Sequence, residues 1–300
     1  MALPGTQRGG APAGAARPTT AGERLSALAK TAQFYWWAGH MIVLIFGIMY
    51  YVKRPFSGWQ AANWYYGKAY LGALTSYAIV IYKTYGPPQL NLAFAQRLIV
   101  DENVEYLLVA LFWYFNRPMV VTLLPFVVFS LFHVITYARS SLIPMFFPEV
   151  PAEIQRARQT TAGEGVVGLS AAARVSKFLG DWSSKYYSAA LRQVGVWEVA
   201  VIGVWVVLGA VTFQTPLLAP LAYFQFLRLR YALSAPTRAA FRRVRVLLDR
   251  FLAPPSANPN VPGVVTDSYV KARDFLVRMG IMIMDPGAAA AAAQQQQQQR

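Results

Sequence analysis

Five ionisable side chains lie inside or beside apolar stretches of the sequence, and they are the first candidates for chemistry: His40, Lys68, Glu105, His133 and Glu198. An ionisable group at mid-bilayer depth costs about 2.5 to 3.5 kcal/mol, so each needs a reason to be there. The two histidines have no second ligand at helical spacing that would indicate a metal site. The other three lie near the ends of their stretches, where they can reach headgroups or pair with an arginine. Structural roles are therefore expected, with a transporter or channel path as the alternative.

Motifs that carry enzymatic chemistry are missing from the sequence. There is no nucleophile elbow, Walker loop, HExxH pair or dinucleotide-binding fingerprint. The glycine-rich stretch at residues 163–168 does not follow a predicted strand and is interpreted as a flexible loop. The chain has no cysteine, which excludes disulfides and zinc fingers. We expect no catalytic residue, no metal ligand and no cofactor, and hence a protein that is not an enzyme.

The strongest chemical pattern is a basic amphipathic region that begins at residue 236. Apolar residues recur there every three or four positions, which places them on one helical face. The segment from Arg228 to Arg250 contains seven arginines and one aspartate. Each arginine contributes about 1 kcal/mol of binding free energy close to an anionic membrane surface. A second helical face follows the linker at residues 254–262. We predict that these helices bind curved anionic membrane through Arg238, Phe241, Arg242, Arg243, Val244, Arg245, Leu247, Leu248, Arg250, Phe251, Leu252, Tyr269, Leu276, Met279 and Ile283.

Two other uses of this region fit the same pattern. Its helices can pack on the protein's own membrane domain, which a 3.6-residue face would satisfy equally well. Its positive charge can also be recognised by an acidic import receptor. Nucleic acid is not an expected partner, because no nucleic-acid-binding motif accompanies the basic residues.

The composition indicates that a membrane domain holds these segments. Of the 300 residues, 56% are hydrophobic and only 14% are charged, and the mean hydropathy is +0.33. Soluble domains have a lower apolar share and a higher charged share, so the chain is interpreted as a polytopic membrane protein. The net charge of +15 is expected to concentrate on the cytosolic side, facing anionic lipid.

Apolar runs divide the membrane domain into six legs, at residues 34–52, 70–82, 106–115, 119–138, 194–213 and 216–227. The connections between the third and fourth legs and between the fifth and sixth are short enough to require tight reversals. The predicted fold is therefore all-α, with two spans, two hairpin-like helical pairs and C-terminal amphipathic helices. Six legs leave both termini on one side, and the arginines after Leu227 make that side cytosolic, although Lys53 and Arg54 oppose this assignment.

The predicted domain organisation has four parts. A disordered cytosolic arm occupies residues 1–33, and a helical membrane domain occupies residues 34–235 with a cytosolic section at 139–192. A basic amphipathic cytosolic region follows at residues 236–285, and a low-complexity tail at 286–300. Residues 91–105 have a mixed face that favours one interfacial helix.

Several strings in the membrane domain resemble the transmembrane protein 33 family, which includes the fungal pore-membrane nucleoporins. In chain order they are GALTSY at 72–77, DENVEYLL at 101–108, Pro125-Phe126, FSLFHVITY at 129–137 and YFQFLRLRY at 223–231. The resemblance covers most of residues 60–250. It implies a protein of the endoplasmic reticulum membrane and nuclear envelope, including the nuclear pore membrane. It also implies reticulon-type shaping proteins and nucleoporins as partners.

The function expected from the resemblance is a contribution to membrane shaping and to nuclear pore complex assembly or distribution. Short hairpins that fill mostly one leaflet, together with interfacial helices, are a physical means of bending a membrane or preferring a bent one. The alternative is a membrane adaptor that regulates the stress response of the reticulum through partners of its cytosolic loops.

Overall fold

The computed structural model describes residues 20–159, 168–255 and 257–284, and every regular element in these ranges is helical. The all-α prediction is confirmed for this part of the chain. Two compact units are present, Met1–Ser188 and Ala189–Arg300. Outside the described residues lie most of the predicted N-terminal arm, most of the glycine-rich loop and the predicted low-complexity tail.

The α-helices are numbered here in chain order. The first unit contains α1 (Ala21–Ala29), α2 (Ala32–Tyr85), α3 (Leu92–Ile99), α4 (Glu102–Phe115), α5 (Leu124–Tyr137), α6 (Ile143–Phe146) and α7 (Val150–Gln159). A 3₁₀ turn at Val120–Thr122 precedes α5, and a π-helical turn at Ala138–Leu142 joins α5 to α6. Next comes α8 (Ala171–Val196), which continues through a π-helical stretch, Trp197–Ile202, into α9 (Gly203–Val211). The chain ends with α10 (Leu218–Leu233), α11 (Ala235–Leu252) and α12 (Gly263–Met284).

Three helical segments are long and apolar enough to cross a bilayer: Ala32–Gly58, Val120–Phe146 and Ala171–Val211. They overlap the first, fourth and fifth predicted legs. The other three predicted legs do not meet the same criteria of length and apolar composition within the described residues. The structure thus supports a helical protein with three candidate spans. It does not confirm the predicted two spans and two hairpin-like pairs.

Part of the predicted disordered arm is helical. A capping box begins α1, because the Thr20 hydroxyl accepts from the Glu23 amide and the Glu23 carboxylate accepts from the Thr20 amide, both at 3.2 Å. These reciprocal bonds satisfy two amides that a helix N-terminus otherwise leaves without partners.

A single helical break at Gly58 folds α2 back on itself. Gly58 has φ 73° and ψ 162°, a conformation that glycine adopts without steric cost. The two halves, residues 32–57 and 59–85, then run antiparallel. Ser76 on the second half donates to the Trp36 carbonyl on the first at 3.0 Å, and the rings of Tyr50 and Tyr66 lie 5.3 Å apart.

The two halves of α2 come closest where two glycines meet. A Cβ atom at Gly72 would lie 2.6 Å from the carbonyl oxygen of Gly39, and a Cβ at Gly39 would lie 2.8 Å from the carbonyl oxygen of Gly72. Both distances are shorter than side chains tolerate, so only glycine fits at either position. Close backbone approach of this kind is the usual basis of helix packing within membranes.

Helices α4 and α5 pack on the folded α2 through aromatic rings. Tyr77 of α2 stacks on Tyr106 of α4, with ring centroids 5.8 Å apart, and Tyr70 meets Phe126 of α5 edge to face at 5.2 Å. Val127 of α5 packs directly against Gly47 in the first half of α2, where glycine has no side chain. Tyr137 at the end of α5 stacks on Trp37 near the start of α2, with ring centroids 5.4 Å apart, so α5 runs antiparallel to the first half of α2.

Buried hydroxyl groups fix the connection between α4 and α5. Thr122 of the 3₁₀ turn contacts the hydroxyls of Tyr66 and Tyr70 at 2.8 and 3.0 Å. The Tyr51 hydroxyl donates to the carbonyl of Val120 at 2.8 Å. Because Tyr51 and Tyr66 flank the break in α2, this connection and the Gly58 break lie at the same end of the first unit.

The predicted interfacial helix at residues 91–105 is instead two helices, because Asp101 caps a new one. Its Oδ1 accepts from the amides of Asn103 and Val104 at 2.7 and 3.3 Å, which starts α4. The Tyr85 hydroxyl holds the other carboxylate oxygen at 2.8 Å. The sequence contains this aspartate, but its capping role depends on the chain turning at Val100.

The second unit contains a short connection between α9 and α10 that is closed by backbone hydrogen bonds. The amides of Gln214 and Thr215 both donate to the carbonyl of Gly209, at 2.7 and 3.0 Å. The Tyr223 hydroxyl of α10 donates to the backbone carbonyl of Glu198 at 2.9 Å, within the π-helical stretch. A π-helical turn interrupts the regular i to i+4 hydrogen bonds of an α-helix. The Tyr223 hydroxyl therefore gives this carbonyl a hydrogen bond from a neighbouring helix.

The glycine contact in α2 can be tested with a matched pair of substitutions. We expect Gly72→Ala to destabilise the protein by about 1 to 3 kcal/mol, because its new methyl group overpacks the contact with Gly39. Gly67→Ala, on the same half of α2 with nothing within 4 Å of its Cβ position, should stabilise by up to about 1 kcal/mol through helix propensity. Thermal unfolding of the two variants in detergent measures both effects. Equal midpoints would contradict the close contact.

Candidate membrane-binding site

Helix α11 is attached to α10 at its start. Pro236 occupies the first turn of α11, where a missing amide is tolerated. The Arg238 guanidinium donates from Nη1 to the carbonyls of Tyr231 and Ala232 at 3.2 and 3.0 Å, and so caps the end of α10. The Phe241 ring meets Tyr231 edge to face at 5.3 Å. The start of the predicted membrane-binding face therefore packs on the protein itself.

Asp249 joins α11 to α12. Its Oδ1 accepts from the Tyr269 hydroxyl at 2.7 Å and from Arg273 at 3.1 Å, and its Oδ2 accepts from Arg245 at 3.3 Å. Partial desolvation opposes the ionised form, but these three hydrogen bonds favour it and lower the pKa of Asp249 below its ordinary value of 3.8. Desolvation and the bond to Asp249 raise the pKa of Tyr269 to about 12, so Tyr269 remains a donor. We call these four residues the Asp249 clamp.

The predicted membrane-binding residues fall into three groups in the structure. Half-buried side chains are Arg238, Phe241, Val244, Leu252 and Tyr269. Exposed side chains are Arg242, Arg243, Arg245, Leu247, Leu248, Arg250 and Phe251. The side chains of Leu276, Met279 and Ile283 lie outside the described part of the chain.

Three exposed apolar side chains form one edge of α11. Leu247 and Phe251 are one turn apart and each is 56% exposed, and Leu248 lies beside them. Arg243 and Arg250 are one turn from Leu247 on the same side of the helix, and both are exposed. We call Leu247, Leu248 and Phe251 the apolar edge. An apolar edge beside arginines is the arrangement that inserts into the headgroup region of an anionic membrane.

Sequence periodicity missed two features of this region. Val246, which is 62% exposed, lies on a different side of α11 from the apolar edge. Phe275 is an exposed apolar residue of α12. Periodicity describes one helix at a time, and it gave no signal for side chains left exposed by the pairing of α11 with α12.

The five ionisable candidates of the membrane domain are distributed over both units. In the first unit the rings of His40 and His133 lie 4.5 Å apart, and His40 Nδ1 is 3.0 Å from Ser130 Oγ. Both histidines and Glu105 are buried, whereas Lys68 lies over the Trp64 ring at 5.4 Å. Glu198 is buried in the second unit. The proximity of the histidines was not predicted from the sequence.

No metal centre is evident among residues 20–159, 168–255 and 257–284, where no three His, Asp or Glu side chains group closely enough to hold an ion. The histidine pair provides two potential ligands, and tetrahedral protein sites need three or four. No residue of this pair is therefore assigned to a metal.

Comparison with known proteins yields one family and several relatives. The model of the family described as Transmembrane protein 33/Nucleoporin POM33 matches residues 17–281. Tetra-spanning protein 1 of Schizosaccharomyces pombe is 30% identical over 86% of this chain and 88% of its own length. Pore membrane protein of 33 kDa of Saccharomyces cerevisiae is 28% identical, with coverages of 88% and 89%. Nucleoporin POM33 of Chaetomium thermophilum is 28% identical, with coverages of 89% and 93%. No solved structure matches the chain.

The Asp249 clamp predicts a defined effect of substitution on α12. Asp249→Ala should speed hydrogen exchange of α12 amides by about two- to fivefold, because a partly exposed ion pair stabilises only modestly. Asp274→Asn is the control, since Asp274 bonds only its neighbour Arg273 among the described contacts. Equal exchange in the two variants would contradict the clamp.

The clamp also predicts the pH response of this region. Because the pKa of Asp249 is lowered in the folded state, its contribution is complete above the ordinary value of 3.8 and is lost as pH falls through the lowered value. The exchange rate of α12 should therefore respond to Asp249→Ala equally at about pH 5 and pH 8, and less below about pH 4. A response that disappeared between pH 8 and 5 would assign the effect to another group.

Proposed function

Because this chain belongs to the transmembrane protein 33/nucleoporin POM33 family, we propose that it shapes membrane in the endoplasmic reticulum and nuclear envelope and contributes to nuclear pore complex assembly or distribution. The family contains membrane proteins of the reticulum and the nuclear pore, and relatives bear the names pore membrane protein and nucleoporin. The proposed role is non-enzymatic. It combines a helical membrane body with a membrane-binding C-terminal region.

The apolar edge of α11 is the observation that carries this proposal. The Asp249 clamp turns the polar side of α11 toward α12, while Leu247, Leu248 and Phe251 stay exposed beside arginines. Fully burying one such apolar side chain contributes about 1.5 to 3 kcal/mol. Helices that insert shallowly bind better where lipid packing is loosened by curvature, so this edge favours curved membrane.

The first unit supplies a second element of membrane shaping. Helix α4 has 14 residues and is therefore about 21 Å long, which is less than the roughly 30 Å of the hydrocarbon core. A short helix beside longer ones is a mismatch that the bilayer accommodates by local thinning or by tilt of the helices. We therefore assign α4 to a leg that does not cross the full core by itself.

We place both termini in the cytosol. Because the Gly58 break and the α4–α5 connection share one end of the first unit, α1 and α3 belong to the opposite end. That end carries more Lys and Arg, which favours the cytosolic side. The arginines of α11 support the same location for the C-terminal region. Proposed partners are anionic lipid, reticulon-type shaping proteins, nucleoporins and an import receptor with an acidic surface.

The proposal is tested by placing a charge on the apolar edge. In the full-length protein reconstituted into anionic vesicles, Leu248→Asp should weaken membrane association of α11 about tenfold or more, because an aspartate opposes burial. Hydrogen exchange of α11 amides, in vesicles of small and large diameter, measures that association. Protection of the unmodified protein should be greater in the smaller vesicles.

Val246→Asp is the matched control for this experiment, since Val246 is an exposed apolar residue of the same helix on another side. We expect it to leave the protection of α11 nearly unchanged. Equal loss with both substitutions would show that added negative charge alone causes the effect. Equal protection in neutral and anionic vesicles of either size would refute lipid binding by the apolar edge.

A further inference from the structure

The first unit has a positively charged end that its proposed function does not use. The Gly58 break and the α4–α5 connection lie together there, because Tyr51 bonds Val120 at 2.8 Å and Tyr66 bonds Thr122 at 2.8 Å. We call this the turn end. Its members are Lys53, Arg54, Phe56, Trp64, Lys68, Phe115 and Arg117.

The turn end carries cations and no carboxylate of its own. Lys53 and Arg117 are exposed, on the two chain reversals that meet there. The sequence contains no Asp or Glu at residues 24–100 or 106–148, the stretches that form both reversals. Arg54 bonds the Tyr50 hydroxyl, and its guanidinium lies 5.7 Å from the centre of that ring. Both reversals of the turn end therefore carry cations and no carboxylate.

Aromatic rings locate the turn end at a membrane interface. Phe56, Trp64 and Phe115 are exposed there, as expected for rings at headgroup depth. The ammonium of Lys68 lies 5.4 Å from the centre of the Trp64 ring. Trp64 is one helical turn nearer to the Gly58 break than Lys68 is. Helical side chains lean toward the helix N-terminus, so Lys68 extends toward the turn end and the headgroups.

We propose that the turn end binds the phosphate groups of anionic lipids in the adjacent leaflet. Lys and Arg are the residues that recognise phosphate, and exposed rings hold them at the depth where headgroups lie. Because α1 lies at the opposite end of the unit, this leaflet is not the one beside α1. The chain then contacts anionic lipid through two separate surfaces, the turn end and the apolar edge.

The experiment uses the absence of cysteine from the chain. Ser57→Cys places one fluorophore at the turn end, and Gln89→Cys places one at the opposite end, both at exposed positions. The full-length protein is reconstituted into phosphatidylcholine vesicles. Two vesicle preparations are compared. In one, a small fraction of the lipid is phosphatidylserine that carries a nitroxide quencher, and in the other the same fraction is phosphatidylcholine that carries the same quencher. The ratio of quenching by the two labelled lipids reports the local preference for anionic lipid.

At position 57 we expect a preference for phosphatidylserine of about fivefold, since one cation near an anionic surface contributes about that factor. Lys53→Gln with Arg117→Gln removes the two exposed cations and leaves Arg54 and Lys68, so it should lower the ratio at position 57 by about half or more and leave it unchanged at position 89. Lys83→Gln with Arg97→Gln is the matched control, because it removes one Lys and one Arg exposed at the opposite end. This control pair should leave the ratio at position 57 unchanged.

Three outcomes would overturn the proposal. The first is equal quenching by both lipids at position 57 in the unsubstituted background. The second is a preference at position 57 that is undiminished by Lys53→Gln with Arg117→Gln, or that falls equally with the control pair. The third is loss of the preference when inorganic phosphate replaces chloride at constant ionic strength, which would assign the turn end to free phosphate. Unchanged quenching at position 89 shows that the variant pair is still folded.

Discussion

The contact between Gly39 and Gly72 is the constraint on which the first unit depends. Lipid chains are as apolar as leucine, so helices in a membrane associate through close packing and not through the hydrophobic effect. Two glycines let the halves of α2 approach until backbone meets backbone. This approach brings Ser76 within reach of the Trp36 carbonyl and gives α4 and α5 a common surface to pack on. A side chain at either glycine would separate the halves and displace the rings that surround them.

Several buried polar groups in the two units bond to side chains or carbonyls far along the chain, and such bonds matter because the bilayer core supplies no water to replace them. Thr122 meets two tyrosine hydroxyls, His40 meets Ser130, and Tyr223 bonds the backbone carbonyl of Glu198. These bonds join residues that are distant in sequence. They therefore fix how helices are paired, as well as satisfying the groups that make them. The tyrosines in particular combine a large apolar ring with a hydroxyl that needs one partner, which suits them to this role.

In the C-terminal region, one part of the α11 surface packs on α10 and α12, and another part is exposed. Arg238 and Phe241 hold the start of α11 on α10, and the Asp249 clamp holds α12 on its far end. What stays exposed between these attachments is the apolar edge with its neighbouring arginines. A face that periodicity describes as continuous is thus partly used for packing within the protein and partly left exposed. Lipid binding and packing on the protein itself, which the sequence left as alternatives, are compatible on one helix.

The sequence by itself determined the all-α class, the apolar stretches of the candidate spans, the short connection before α10 and the amphipathic character of α11. Each depends on composition or on spacing within a few residues, which the local chain specifies through helical periodicity and turn chemistry. The tertiary structure decided the position of the break at Gly58, beyond the predicted end of the first leg at residue 52, the proximity of His40 and His133, and the capping role of Arg238. These depend on which helical faces meet. That choice is made by the shape of the packed surfaces, such as the space left by two glycines, and no local spacing encodes it.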